Sequence, residues 1–187
     1  MIGWIGLGVV VLLLVYVVAA YNGLVGLKVR AENSWADIDV QLKRRYELIP
    51  NLVETVKGYA GHETGTLETV VQARNRALSA QGPAAKAEAE SALSRSLQSL
   101  FALGEAYPQL RAVEAFTRLQ GSLSDIEEAI QNARRYYNAV VRDLNTKIQQ
   151  VPSNIVAGMF HFTPREFFEI TSSAERQAPK VSFSAPS

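Results

Sequence analysis

No cysteine occurs in the sequence. Disulfides and thiol chemistry are therefore excluded, and the compartment stays open, because a cysteine-free chain is safe on either side of a membrane. Histidine is scarce, with only His62 and His161. His62 opens HETGT, which departs from HExxH at Thr66, and a metal site needs several converging ligands. GxSxG and GxxxxGK[ST] are both missing, so neither a nucleophile elbow nor a phosphate-cradling loop is encoded. The glycines of GWIGLG fall inside an apolar run rather than after a strand. Net charge is +1, so no bulk field argues for nucleic acid. Strand-like alternation bounded by turn residues is absent before Val151. The most informative absence is local. From Ile2 to Leu27 there is no Asp, Glu, Lys or Arg, and all 19 basic and 18 acidic residues lie from Lys28 onward.

That charge-free stretch, IGWIGLGVVVLLLVYVVAAYNGLVGL, exceeds the roughly 20 apolar residues that span a bilayer core. A cleaved signal peptide carries a positive n-region and an apolar run of about 7–15 residues. Here no Lys or Arg precedes the run, and the run is longer. Residues 1–27 are therefore expected to be an uncleaved transmembrane anchor, with Trp4 and Tyr21 at the interfacial belts. The C-terminal flank holds Lys28 and Arg30, then Lys43, Arg44 and Arg45. This bias favours an outside N-terminus and a cytoplasmic body. Glu32, Asp37 and Asp39 dilute it, so an extracytoplasmic body stands beside it as the alternative.

Beyond the anchor the pattern is helical. Trp35, Leu42, Ile49 and Val56 are spaced by heptads, as are Ile38, Arg45, Leu52 and Tyr59. Together they form one stripe, apolar except at Arg45. Pro50 interrupts it, removing an N–H and leaving the Tyr46 carbonyl without its usual partner. The stripe keeps its phase across Pro50, so one kinked helix is expected to run on to the Gly58–Gly65 region. The kink either wraps that helix around its partners or serves as a hinge. Arg45, facing inward, needs a carboxylate from the last helix or the 63–68 region, such as Glu63 or Glu68, or must reach water at the stripe's edge. Asp37 and Asp39 cannot face one way on a helix, and Glu127 and Glu128 read as solvated.

A last long helix is expected without interruption from Gln109 to Val151. Its rows are Ala112, Leu119, Ile126, Ala133 and Val140, and Phe116, Leu123, Ile130, Tyr137, Leu144 and Val151. Pro108 suits its first turn and Pro152 its end. Between the long helices, Leu67, Val70, Val71, Arg74 and Leu78 mark one stretch, and Leu93, Leu97, Leu100 and Gly104 another. SAQGPAA separates them, leaving either one stacked, broken helix or a hairpin. The helical body is assigned to residues 28–151. Residues 152–170, rich in phenylalanine, are expected to cap one end of the body, with docking to a partner or bilayer as the alternative. Residues 171–187 are expected to be a disordered tail.

Several stretches carry a resemblance. YNGLVGLKVRAENSWADIDVQLKRRYELIPNLVETVKGYAGHE resembles the signature of the LemA family of bacterial membrane proteins. EAYPQLRAVEAF (105–116), ARRYYNAVVRDLN (133–145), with its Tyr137–Asn138 pair, and the terminal FFE (167–169) are similar to it as well. The resemblance implies an all-α fold: an N-terminal transmembrane helix continuous with an antiparallel, up-and-down four-helix bundle. It places the chain in the bacterial cell membrane. Some members are tied to membrane organelle formation or remodelling, and the family supplies no catalytic or ligand-binding residues. The candidate structural or interaction residues are Trp35, Arg45, Pro50, Tyr107, Pro108, Tyr137, Asn138, Phe167 and Phe168.

The function expected from these features is a membrane-anchored scaffold acting through helix–helix and protein–protein contacts, without catalysis, metal or cofactor. Its expected partners are the lipid bilayer, further copies of itself and unidentified membrane proteins, but not nucleic acid. An adaptor for a membrane protease or envelope-stress system is the alternative. A hydrolase built around Arg45, His62 and Glu63 is the enzyme reading, and it requires a concave pocket with converging polar groups.

Overall fold

A computed structural model describes residues 2–169. The tail 171–187, expected to be disordered, lies outside the described residues. Among the described residues the chain is all helical, without a strand. The helices are α1 (Ile2–Ala60), α2 (Thr64–Ser79), α3 (Pro83–Ala106), α4 (Pro108–Arg111), α5 (Glu114–Gln149) and α6 (Ser153–Met159).

Helix α1 runs 59 residues without a break and contains Pro50 in its interior. At about 1.5 Å per residue it is roughly 88 Å long. Its N-terminal part is long and apolar enough to cross a membrane by length and composition. From Gly3 to Tyr16 every residue is exposed, and packing begins at Val17, Ala20 and Leu24. The heptad stripe then takes over, with Ile38, Leu42, Ile49, Leu52 and Val56 fully buried. Tyr59, placed in the stripe by spacing, is instead exposed, and Ala60 takes the buried position in the last turn.

Helix α5 packs antiparallel to α1. The Lys147 ammonium lies over Gly23, the Tyr137 ring is 5.4 Å from Trp35, and Glu127 meets Arg45. Its core row, Phe116, Leu123, Ile130, Tyr137 and Leu144, is buried throughout. The uninterrupted helix expected from Gln109 to Val151 is corrected at both ends. The short α4 starts at Pro108, Val113 adopts an extended conformation, and α5 starts at Glu114. That break lets Leu110 turn inward and be fully buried, while Ala112, assigned to the stripe, is exposed. No proline or glycine marks the break, which is why spacing alone missed it. At the far end Val151 lies beyond α5 and is exposed.

The two middle stretches form a hairpin rather than one stacked helix. Gly82, at φ 79°, supplies the left-handed residue of the turn, and Pro83 starts α3. Lys86 near the start of α3 donates to the carbonyl of Ala77 near the end of α2, and Tyr107 after α3 reaches Glu63 before α2. The buried face of α2 is Leu67, Val70, Ala73 and Ala77, so Val71 and Leu78 face outward. Small alanines let α2 and α3 approach closely, and an apolar-only pattern does not register them. On α3, Leu93, Leu97, Leu100 and Gly104 are buried as expected. At Gly104 an added Cβ would lie 2.6 Å from the Phe116 ring, so the absent side chain admits that ring between α3 and α5.

Pro50 has a partner across the fold. The Tyr46 carbonyl that it deprives of a helical N–H accepts a hydrogen bond from Arg74 Nε of α2 at 2.8 Å. The proline thus frees an acceptor in mid-helix, and the α2–α3 hairpin uses it as an attachment point.

Candidate functional site

The α1–α5 pair presents one long apolar seam, and two different structures cover it. The distal half lies under the α2–α3 hairpin, and the proximal half lies under the chain that follows α6.

The hairpin is joined to the pair by a buried polar network centred on Arg45, which is 4% exposed. Its Nη1 donates to Glu90 Oε2 of α3 at 3.2 Å, and its Nη2 to Ser94 Oγ at 2.8 Å. Glu127 Oε2 of α5 lies 3.0 Å from Nη1 as an ion pair, without the alignment of a hydrogen bond. Its other oxygen accepts from Gln131 at 2.7 Å. The second Glu90 oxygen accepts from the Tyr46 hydroxyl. Lys86 Nζ sits 5.7 Å above the Tyr46 ring, and Asp39 is 4.0 Å from the same ammonium. One guanidinium thus ties α1, α3 and α5 together with planar, multidentate geometry. Burial pushes the Glu90 carboxyl above its ordinary value, while Tyr46, Arg45 and Lys86 pull it back. Burial, followed by the charge of Glu90, pushes the Tyr46 phenol far above its ordinary value. Tyr46 is therefore a permanent donor.

The carboxylate expected from the 63–68 region is not there. Glu63 accepts from Tyr107 at 3.1 Å, and Glu68 is exposed. The partner expected on the last helix is Glu127, a residue whose spacing had read as solvated. A cleft of about 310 Å³ opens beside the network, lined by Arg45, Ser94, Gln98, Gln120 and Glu127. Its guanidinium is already committed to Glu90, Ser94 and Glu127. His62 and Glu63 lie at the opposite end of α2 from Tyr46 and Arg45, so the three residues of the enzyme reading are not brought together. Among the described residues no group of three His, Cys, Asp or Glu is placed to hold a metal ion.

The proximal covering starts at α6. Ser153 Oγ donates toward the Lys147 and Gln150 carbonyls at the end of α5. Helix α6 closes with His161 in the left-handed region at φ 56°. Phe162 N–H bonds to Ala157 and His161 N–H to Gly158, the paired closure of a Schellman motif. This turn sets Phe160 and Phe162 against the same ring, Tyr21, with centroids at 4.7 and 5.8 Å. The chain then runs extended along the seam, and α5 holds it by its backbone. Asn145 takes both the N–H and the carbonyl of Arg165, at 2.8 and 2.9 Å. Asn138 takes both from Phe168, at 2.9 and 3.1 Å. The Tyr137 hydroxyl donates to the Glu166 carbonyl at 2.9 Å. The spacing is commensurate, because seven helical residues rise about 10.5 Å and three extended residues about 10 Å. Phe168 is fully buried against Trp35, with ring centroids 5.6 Å apart. Arg165 also pairs with Glu32 at 2.6 Å. Burial raises the Tyr137 phenol, and nearby Arg165 partly offsets that rise. The segment expected to cap one end of the body is therefore a strap along its side.

Of the candidate residues, Trp35, Tyr137, Asn138 and Phe168 converge here, with Phe167 half-buried beside them. Arg45 belongs to the distal network, Pro50 to the α2 attachment, and Tyr107 and Pro108 to the α3–α4 junction. Glu90, Tyr46, Arg74 and Asn145 were missed as functional residues. Glu90 is in phase with Leu93 and Leu97, and Asn145 stands seven after Asn138, so the inward-phase argument made for Arg45 would have found both.

The class defined by this architecture is an all-helical protein whose N-terminal helix is fit to cross a membrane and continues as the spine of its body. The profile of the LemA family matches residues 34–183, and the chain belongs to that family. It is also similar to two magnetosome proteins MamQ of Paramagnetospirillum magneticum (strain ATCC 700264 / AMB-1), MamQ 2 and MamQ 1. Identity to each is 23% over 175 residues, covering 80% of this chain and 64% of theirs. Magnetosome protein MamQ of Magnetospirillum gryphiswaldense is 24% identical, with 79% and 64% covered. The chain thus spans 64% of the length of these relatives.

Proposed function

We propose that this chain is a membrane-anchored scaffold whose body, an up-and-down four-helix bundle, is presented at the bilayer as an interaction module without catalytic activity. The observation that carries this reading is the continuity of α1. One helix is apolar and exposed for its first turns, then becomes the buried spine of the body, with no linker between the two parts. Position and orientation at the membrane therefore pass rigidly to the surfaces of α2, α3 and α5. The similarity to proteins named for the magnetosome supports a role at a membrane-bounded assembly. The basic flank at Lys28 and Arg30 supports a cytoplasmic body. Self-association and contact with other membrane proteins are the expected uses of the exposed helical faces.

The test is photo-crosslinking of the full chain in native membranes, from Leu12 in the anchor and from the exposed Val71 and Tyr136 in the body. The scaffold reading expects lipid adducts at Leu12 and discrete protein adducts at Val71 or Tyr136. Release of the chain by alkaline wash, or a body that yields no protein adduct, contradicts it.

A further inference from the structure

The charge-free run at the N-terminus has a counterpart near the C-terminus. From Ile148 to Pro164 there is again no Asp, Glu, Lys or Arg, and basic residues, Lys147 and Arg165, flank it on both sides. The fold places the two charge-free runs side by side. Helix α5 descends along α1 until Lys147 lies over Gly23, and α6 continues past its end. Val151, Pro152 and Ser153 share a cleft with Tyr16, Ala19 and Ala20, and Phe160 stacks on Tyr21.

Helix α6 is anchored by its inner face, where Ser153, Val156 and Ala157 are buried. Its outer face is apolar and uncovered. Val151 is 74% exposed, Ile155 62%, Met159 63% and Phe160 47%. Ile155 and Met159 are four residues apart on α6 and share its outer face, and Val151 lies in the turn that precedes the helix. Beside them on α1, Val15, Val18 and Tyr21 are exposed too. The level of this patch along the rod identifies what covers it. Trp4 and Tyr21, the aromatic residues expected at the two interfaces, are about 26 Å apart at the helical rise, close to the hydrocarbon thickness of about 30 Å. The boundary of the hydrocarbon therefore falls near Tyr16–Tyr21, the level of α6. Lys147 and Arg165 stand on the water side, where their long stems let the charges reach phosphates.

We propose that α6 is a second membrane contact: its Ile155–Met159 face, extended by Val151 before it and Phe160 after it, inserts into the phospholipid leaflet from which α1 emerges. The inference rests on α1 spanning the bilayer. Insertion on one side of the anchor fixes the rotation of the rod about its axis, because a single transmembrane helix can spin freely and one with a lateral foot cannot. It also places the start of the strap at the headgroup level, where Tyr21, Phe160 and Phe162 meet.

The absence of cysteine allows a clean test, since one introduced thiol is the only label site. Nitroxide-labelled full chains carrying Leu12→Cys, Ile155→Cys, Met159→Cys or Tyr136→Cys are reconstituted in phosphatidylcholine–phosphatidylglycerol vesicles. Collision with oxygen, which concentrates in lipid, is compared with collision with an aqueous nickel chelate. The proposal expects labels at 155 and 159 to show an oxygen-to-nickel ratio several-fold above that at 136, on the lipid side of the scale with 12. If 12 is lipid-like while 155 and 159 resemble 136, the anchor stands and the α6 contact is overturned. Labels at 155 and 159 shielded from both reagents overturn it in favour of a protein neighbour. A label at 12 that meets the nickel chelate removes the anchor, and the inference with it.

Discussion

The two halves of the α1–α5 seam meet the same requirement by different chemistry. The distal half is covered by a helical hairpin attached through side-chain charges, with Arg45, Glu90 and Glu127 drawn from three helices. The proximal half is covered by extended chain attached through its backbone, with Asn138 and Asn145 each satisfying one residue's N–H and carbonyl. A buried ion network fixes partners strictly, because a removed member leaves an unpaired charge in low dielectric. Amide clamps read main chain and tolerate most side chains, so the strap's specificity rests on its side-chain contacts, Phe168 against Trp35, Phe162 against Tyr21 and Arg165 with Glu32. The distal half is thus joined by charge, and the proximal half by main-chain hydrogen bonds around a buried ring.

Arg45→Ala should produce the largest effect. It strands Glu90 inside the body and should cost about 3–5 kcal/mol in denaturant unfolding of the full chain. Glu90→Gln, which keeps the shape and the Tyr46 contact, should cost much less. Equal losses from the two would show that the cost of Arg45→Ala does not come from a stranded Glu90 carboxylate. Leu24→Ala comes next, at about 2–5 kcal/mol. Leu24 is fully buried although it lies within the stretch read as anchor. A change below about 0.5 kcal/mol would place it in the lipid-facing part instead.

The halves should also differ in pH response. The raised Glu90 carboxyl favours folding in its protonated form. Its contribution is complete below the unfolded value of 4.5 and is lost as pH rises through its higher folded value. Lowering the pH from neutrality should therefore stabilise wild type relative to Glu90→Gln, as read by thermal unfolding of both proteins. The raised phenols of Tyr46 and Tyr137 give the same sign in the alkaline range, with stability held below about pH 10 and lost above it. Tyr46→Phe should remove the distal share of that alkaline loss.

The smallest effect belongs to Pro50. Arg74→Met in wild type leaves the Tyr46 carbonyl unpaired and should cost about 1–3 kcal/mol. In a Pro50→Ala background a helical N–H is available to that carbonyl, so the same substitution should cost less. A double-mutant cycle measures the difference, and strict additivity would mean that proline and arginine act independently.

These contrasts also mark what the sequence could disclose. Heptad spacing located α1, the passage through Pro50 and the buried row of α5, because long apolar stripes survive without tertiary information. It also put Arg45 in phase with the stripe, with a head reaching water as the alternative, and predicted an acceptor released at Tyr46. It could not name Glu90 or Arg74 as the partners, since those pairings depend on how the hairpin folds back. The break at Val113 carries no proline or glycine, and the alanine face of α2 carries little hydrophobic signal, so both escaped a reading based on large apolar residues. The strap was the least legible element. Its aromatic content was evident, but its course is set by asparagine clamps on another helix, and no local pattern in residues 160–169 encodes that.

The most direct test of the two-covering account is amide hydrogen exchange on the full chain in a membrane mimetic. The amides of Arg165 and Phe168 lie in extended chain yet bond to Asn145 and Asn138, so they should be protected. In an Asn138→Ala, Asn145→Ala double variant that protection should vanish while the α2–α3 amides remain as slow as in wild type. Free exchange at Arg165 and Phe168 in the wild-type chain, or loss of hairpin protection together with the strap, would contradict the account.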